Sequence, residues 1–470
     1  MYINGKRIIK NPVFVVTNPY SGSQVGEVAS AGAGDIEMAM AAAEKGAKIM
    51  RGISAGERAD ILEKTARALL ADPHLAGILS SEVGKTIREA RMEVARAANT
   101  LRLSASAALS YLTGETVRFD LSGPASKTGY YIKVPVGIVL AITPFNFPLN
   151  LTCHKIGPAI AAGNAVIHKP SSLTPLVGLR LAELLIESGL PPEALSVVTG
   201  PGGVVGDMLL ADNRIRKISF TGSMDVGAYI TSRAGVKRVT MELGSNSAAL
   251  VFADAQLDKV AKKIKAAGYA CAGQVCISVQ RVYVEDKAYD SFLDTLIKEV
   301  KTIKTGDPSL EDTDMGPLVE AKEAERVNGW IDEAVRDGGA AVLRGQYKGA
   351  LMDPVILTNV PETSKAVVNE AFGPYIVVNR FKDFEDGISK VNASRYGLQA
   401  GVFTRDFDTA MAAADRIEAG GILVNEVSAY RVDNMPYGGM KMSGIGREGP
   451  QFVIDEMTDK KLIIFNSPMT

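Results

Sequence analysis

Two cysteines, Cys271 and Cys276, lie five residues apart in the stretch GYACAGQVCIS. A thiolate is a strong nucleophile, but a neutral thiol is not, so a reactive cysteine needs a base, a cation or a helix terminus nearby. The apolar spacing of LDKVAKKIKAAGYACAG predicts a helix running to about Gly273. Cys271 would sit on that helix and Cys276 at its junction with the next strand, where side chains often reach a cleft. Five residues of helix rise about 7.5 Å, which speaks against a disulfide between the two. Cys276 is therefore the better placed of the two for a nucleophile, with a small buried hydrophobe an equal alternative. Cys271 and Cys153 read as small buried hydrophobes.

Other groups could serve the same chemistry. Glu242, in TMELGSNSA, ends a strand-like run just before a glycine. It is either a general base or only a strand-end charge. The three histidines, His74, His154 and His168, have no metal-ligand spacing. A cysteine–histidine hydrolase with His154 or His168 as partner stays open on sequence distance alone. Two glycine loops each follow a strand: TGPGGVVG, with Gly200, Gly202 and Gly206, and SFTGSMDVG, which opens a helix at Gly222-Ser223. Each could turn backbone N–H groups toward a pyrophosphate at a helix N-terminus, yet neither is G-x-G-x-x-G, and each also describes an ordinary turn.

The elements that must position these groups read as an α/β pattern. Residues 34 to 110 show helical periodicity throughout. SKTGYYIKVPVG then reads as an extended segment. IVLAIT, AVIHKP, LSVVTG and KISFTG are strands alternating with the helices NLTCHKIGPAIAAG and TPLVGLRLAELLIESG. The second of these helices has Thr174 as the expected N-cap, Pro175 at its first position and Gly189 just past its end. After residue 246 the pattern restarts with AALVFA, QRVYVE and the helix AYDSFLDTLIKEVKTI, so a second α/β domain is expected. KKLIIFN at the end reads as a strand that pairs with another segment or subunit.

Bulk properties narrow the class. The 470 residues suggest two or three domains, and 46% hydrophobic with 22% charged residues is ordinary for a globular enzyme. A net charge of −1 gives no bulk electrostatic drive toward nucleic acid or membrane. Three cysteines cannot make a disulfide framework, the N-terminus does not read as a signal peptide, and no apolar run is long enough for a span. A cytoplasmic metabolic enzyme is the expectation.

Seven short motifs occur in order: TPFNFP from Thr143, HKPSS from His168, FTGS from Phe220, MELG from Met241, GQVC from Gly273, EAFGP from Glu370 and PYGGMKMSGIGREG from Pro436. Together they resemble the aldehyde dehydrogenase superfamily over almost the full length. The resemblance implies a Rossmann-like cofactor domain of residues 1–119 and 139–244, an α/β catalytic domain of 245–444, and a β oligomerisation element of 120–138 and 445–470 in a homodimer or homotetramer. It implies Cys276 as nucleophile, Asn146 as oxyanion donor, Glu242 as general base, and Lys155 with Glu448 on the proton route. Dinucleotide contacts would come from Thr143, Pro144, Phe145, Lys169, Ser171, Ser172, Gly202, Gly206, Phe220, Thr221, Gly222, Ser223, Leu243, Glu370 and Phe372. No metal is expected.

Ser172 falls where NAD-preferring members often carry Glu, whose charge repels a 2′-phosphate. Serine removes that repulsion and Lys169 offers a cation, which favours NADP, with NAD also used. Two features depart from the family pattern. ELGGK reads ELGSN at Glu242–Asn246, and His154 replaces a pocket aromatic. Arg96, His154 and Arg431 match substrate-facing positions, although an inter-segment ion pair explains either arginine equally. The expected reaction is NAD(P)-dependent oxidation of a small polar aldehyde, hydroxylated or anionic, to its acid in the lactaldehyde and glyceraldehyde 3-phosphate branch. The alternatives are a coenzyme-A-acylating semialdehyde dehydrogenase and a non-catalytic binding protein on the same fold.

Overall fold

The strand Ile138–Ile142, IVLAI, is apolar at every position and buried at four of its five residues. Such a strand has no solvent face and belongs inside a parallel sheet covered on both sides. In the computed structural model, which describes residues 1–121 and 127–466, it is central to an eight-stranded sheet. Ala165–Lys169 and then Leu195–Val197 add in parallel on one side of it, and Ile215–Thr221 and then Arg238–Glu242 on the other. The chain therefore reverses its direction of growth between Ile138–Ile142 and Ile215–Thr221. Ligand clefts in open α/β sheets form at the carboxyl ends of strands flanking such a switch point.

A second sheet has seven strands. Its core is the parallel set Val355–Thr358, Tyr375–Phe381, Arg281–Glu285, Ala248–Val251, Gln399–Phe403 and Gly421–Val424. The short strand Gly444–Ile445 returns to the first sheet, antiparallel to Arg238–Glu242. The chain thus has the mixed α/β architecture expected from the alternation of elements. The terminal strand Thr458–Asn466 pairs antiparallel along its whole length with Lys127–Pro135 of the same chain, which also pairs Glu115–Val117. Residues 122–126 and 467–470 of the expected oligomerisation element lie outside the described residues.

Four helices, Ala33–Gly52, Ala55–Ala71, Leu75–Val83 and Ile87–Ser110, occupy the N-terminal region. All twelve residues of Asn150–Ala161 are buried, because that helix lies between the first sheet and Ile87–Ser110. Gly157 permits the approach: a Cβ there would lie 2.5 Å from Ser104 Oγ. The helix Pro450–Glu456 packs on the same pair.

Two local expectations are corrected. The helix before Cys276 stops at Tyr269, and Cys271 and Ala272 adopt left-handed backbone with φ of 49° and 55°. Gly273 must press against the backbone of Gly373, where a Cβ would lie 2.2 Å from a carbonyl oxygen, so the chain leaves the helix to make that approach. The helix expected from Pro175 begins at Leu176, and Thr174 Oγ1 has no partner. Its first N–H groups, those of Leu176 and Val177, donate instead to the Glu82 carboxylate. A tertiary contact does the capping that local sequence assigned to Thr174.

Candidate active site

Parallel pairing sets Thr221 opposite Glu242 at the carboxyl ends of their strands. The polypeptide then crosses to the second sheet, and the turn Ala270–Gly273 delivers Cys276 to the space between the sheets. Cys276 is partly exposed and lines a cavity of about 540 Å³ together with Asn146, Leu243, Glu370 and Phe372. Its Sγ lies 3.0 Å from the Tyr437 hydroxyl, and the Arg431 guanidinium stacks 3.7 Å from the Tyr437 ring centre. Burial pushes the thiol up to about 11, while the Tyr437 hydrogen bond and the Arg431 charge pull against that rise.

Asn146 is buried, and its Nδ2 donates to the Gln274 carbonyl at 2.8 Å. A carboxamide nitrogen carries two N–H groups, so a second remains. The Phe147 N–H fixes the other end of the amide by donating to Asn146 Oδ1 at 3.1 Å.

Glu242 is buried, and neither carboxyl oxygen has a partner. Gly438, next to Tyr437, lies against it: a Cβ there would be 2.9 Å from Glu242 Oε1. Burial, then the charge of Glu448, raises the Glu242 carboxyl well above the usual carboxylate range. Glu448 behaves oppositely. Burial opposes its ionisation, but Lys155 at 2.8 Å and Arg431 at 3.0 Å hold it as a carboxylate. The same surroundings thus push the two carboxyls in opposite directions, as closely coupled acids do.

The cofactor-side positions line this cavity and an adjoining one of about 530 Å³. Thr143, Pro144, Phe145, Lys169, Ser171, Ser172, Gly202, Gly206, Phe220, Thr221, Gly222 and Ser223 line the second, which lies along the carboxyl ends of the strands at the switch point. Its chemistry suits a dinucleotide. A Cβ on Gly202 or Gly206 would meet nothing within 4 Å, so the backbone there is open to a ligand. Ser223 caps the helix Met224–Arg233, whose N-terminus faces the cleft. Lys169, brought down to about 8 by burial, has the Pro170 carbonyl as its hydrogen-bond partner and, among the described residues, no acid. The Ser172 hydroxyl donates to Gly200 O at 2.9 Å.

Arg96, His154 and Arg431 line neither cavity and form instead a polar chain, buried except at Arg96. Arg96 and His154 share Asp433, at 2.7 and 3.0 Å. Arg431 reaches His154 at 3.2 Å and Glu448 at 3.0 Å, while its Nε is buried without a partner. Neither histidine of the hydrolase alternative bonds the sulfur. His168 bonds Thr143 Oγ1 at 2.9 Å and is pushed down to about 3 by burial, with Lys169 adding to the shift. The substituted ELGSN segment is integrated, since the Asn246 Nδ2 donates to Val367 O and its Oδ1 accepts from Ser394.

Sequence reasoning missed Tyr437, which stood in the quoted PYGG motif without a role, and Asp433, for which no local signal existed. It also missed Glu323, Arg326 and Trp330, which line the cavity of Cys276.

The model of the aldehyde dehydrogenase family matches residues 9–463 of the chain. A 3-sulfolactaldehyde dehydrogenase of Priestia megaterium is 46% identical over 468 residues, covering 99% of this chain and 98% of the relative. Among solved structures, aldehyde dehydrogenase 21 from Physcomitrella patens in complex with the reaction product succinate superposes with a TM-score of 0.96 at 36% identity, covering 100% of this chain and 98% of that one. The glyceraldehyde-3-phosphate dehydrogenase of Methanocaldococcus jannaschii complexed with NADP superposes with a TM-score of 0.93 at 36% identity, covering 96% of this chain and 98% of that one.

Proposed function

This chain belongs to the aldehyde dehydrogenase family, and from that premise we propose how its residues divide the work and which aldehydes it takes. It is an NAD(P)-dependent enzyme that oxidises an aldehyde to the carboxylic acid.

Cys276 is the nucleophile in this reading. Its sulfur adds to the aldehyde carbon to give a thiohemiacetal, whose oxyanion is held by the remaining Asn146 N–H and the Cys276 backbone N–H. Loss of hydride from that carbon leaves a thioester on Cys276. The dinucleotide, when bound along Lys169, Ser172, Gly202, Ser223 and Glu370, supplies the hydride acceptor. Glu242 then takes a proton from water, the hydroxide attacks the thioester, and the acid leaves with the thiol restored. The Lys155–Glu448 pair beside Glu242 lies on the route by which that proton passes to solvent. The observation that carries this reading is the shared cavity of Cys276 and Asn146, with the unpartnered Glu242 carboxyl packed on Gly438 beside the Tyr437 that bonds the sulfur.

The substrate is a small polar aldehyde with an anionic group. Relatives that act on 3-sulfolactaldehyde or hold succinate support this, as does Arg326, which lines the cavity of Cys276. NADP is the preferred dinucleotide, since Lys169 lacks an acidic partner and Ser172 brings no repelling charge. We also assign a cofactor domain to residues 1–119 and 139–244, a catalytic domain to 245–444, and assembly as a homodimer or homotetramer in the cytoplasm to the remainder. The exposed Leu462, Ile464 and Phe465 support that assembly surface.

The test is kcat/KM with NADP and NAD on 3-sulfolactaldehyde, lactaldehyde, glyceraldehyde 3-phosphate, succinic semialdehyde and hexanal, with the acid measured in the absence of coenzyme A. An anionic aldehyde should lead; hexanal in first place refutes the substrate assignment. Loss of activity in Cys276→Ala with activity kept in Cys271→Ala is the expected outcome for the nucleophile, and the reverse overturns it.

A further inference from the structure

The segment EVGKTIREARMEV, Glu82–Val94, carries four charged side chains whose polar ends bond other parts of the fold, three of them buried and Glu89 half-buried. Glu82 caps a distant helix, as described above. The other three converge on the nucleophile's surroundings. Glu89 and Glu93 are four residues apart on the helix Ile87–Ser110 and so lie on one face, a turn apart.

Glu93 Oε1 accepts from the N–H groups of Leu149 and Asn150 at 2.9 and 3.0 Å, which anchors the loop carrying Asn146 to its helix. Lys85 completes the hold: its Nζ lies 2.5 Å from Glu93 Oε2 and 3.9 Å from the ring centre of Phe147, the residue after Asn146. Both charges are fully buried, so each depends on the other.

Glu89 holds the opposite wall. One oxygen, Oε2, closes the capping box with Thr86, and the other, Oε1, accepts the Cys271 N–H at 2.7 Å. Cys271 begins three consecutive left-handed residues, of which the first two are not glycine. Left-handed backbone is costly for residues with a Cβ and persists where surroundings over-determine it. The turn sets Gln274, whose carbonyl accepts from Asn146 Nδ2, and Cys276 two residues later.

We infer that Glu89 and Glu93, with Lys85, are positioning residues that set the separation between the Asn146 carboxamide and the Cys276 sulfur. One rigid helix grips both loops, one carboxylate per loop, and neither side chain touches the reacting atoms. The inference rests on the assignment of Cys276 and Asn146 made above.

The test compares Glu89→Gln, Glu93→Gln, Asn146→Ala, Cys276→Ala and the doubles of each glutamine variant with Asn146→Ala in the full-length protein. Three quantities are read: the single-turnover rate of NADPH formation from 3-sulfolactaldehyde, the rate at which a neutral aromatic disulfide modifies Cys276, and NADP affinity. Misplacing a reacting group by about 1 Å costs up to about 100-fold, so each glutamine variant should slow NADPH formation by about 10- to 100-fold. Thiol modification and NADP affinity should stay within about threefold, which general loosening of the fold would not spare. In the Asn146→Ala background the glutamine changes should add less than about threefold, since they act through the amide already removed. Unchanged NADPH formation, or fully additive losses, overturns the clamp. If Glu93→Gln does not fold, the half-buried Glu89 decides by the same criteria. If Asn146→Ala and Cys276→Ala leave NADPH formation intact, the failure belongs to the underlying assignment.

Discussion

Replacing Tyr437 with phenylalanine isolates what activates the Cys276 thiol. The ring stays, so the Arg431 guanidinium keeps its stacking partner at 3.7 Å, and only the hydroxyl 3.0 Å from Sγ is lost. That hydroxyl can donate to the thiolate, and a hydrogen bond to a charged group is worth about 1.5–3 kcal/mol. At about 1.4 kcal/mol per pKa unit, its loss raises the thiol by about 1–2 above a value that burial already puts near 11. The thiolate fraction at pH 8 then falls about 10- to 100-fold. A more basic thiolate is also more nucleophilic, and a Brønsted slope of about 0.45 returns a little under half of the loss on a logarithmic scale. The net expectation is about 3- to 13-fold slower modification by a neutral aromatic disulfide, measured without dinucleotide. Cys153 and Cys271 are buried, and Cys276→Ser gives the background. An unchanged or faster rate in Tyr437→Phe refutes the claim that this hydroxyl stabilises the thiolate.

Other consequences follow from the same charges. Glu448→Gln removes the negative charge that helps burial raise Glu242, so the Glu242 carboxyl falls and the rising limb of kcat against pH moves to lower pH; a limb that stays put or moves up contradicts the coupling. Ser172→Glu should weaken NADP binding at least about tenfold and leave NAD binding within about threefold, read by fluorescence titration, because in the proposed binding mode a carboxylate there would repel the 2′-phosphate. Asp433 is buried, yet its bonds to His154 and Arg96 keep its carboxyl depressed. A depressed acid stabilises the fold above its unfolded value near 4, and that contribution fades as pH falls below it. Asp433→Asn should therefore lose less stability than the parent between about pH 5 and pH 3 in urea titrations, and a parallel decline of the two would count against the ion pair's role.

The limits of sequence are seen best at particular residues. IVLAIT and KISFTG were legible as strands because a strand buried on both faces must be apolar throughout, and that constraint is local. The alternation of such strands with amphipathic helices fixed the α/β class for the same reason. Cys276 was preferred over Cys271 from a helix end that lies four residues earlier than expected; in the fold Cys276 lines the cavity and Cys271 is buried. The helix end depends on Gly273 meeting Gly373, and the start of Leu176–Glu187 on the carboxylate of Glu82; neither partner is near in sequence.

The same distinction applies to the site. Residue type alone determined which groups could be nucleophile, acid or phosphate cradle, because a thiol, a carboxyl and an open glycine backbone carry their chemistry wherever they sit. What each of them is doing depended on the fold. Only tertiary structure put Tyr437 on the sulfur, left Glu242 unpartnered while ionising Glu448, and drew Arg96, His154 and Arg431 into one chain through Asp433. Proton affinity and charge are set by burial and by neighbours within a few ångströms, and those neighbours arrive from segments hundreds of residues apart.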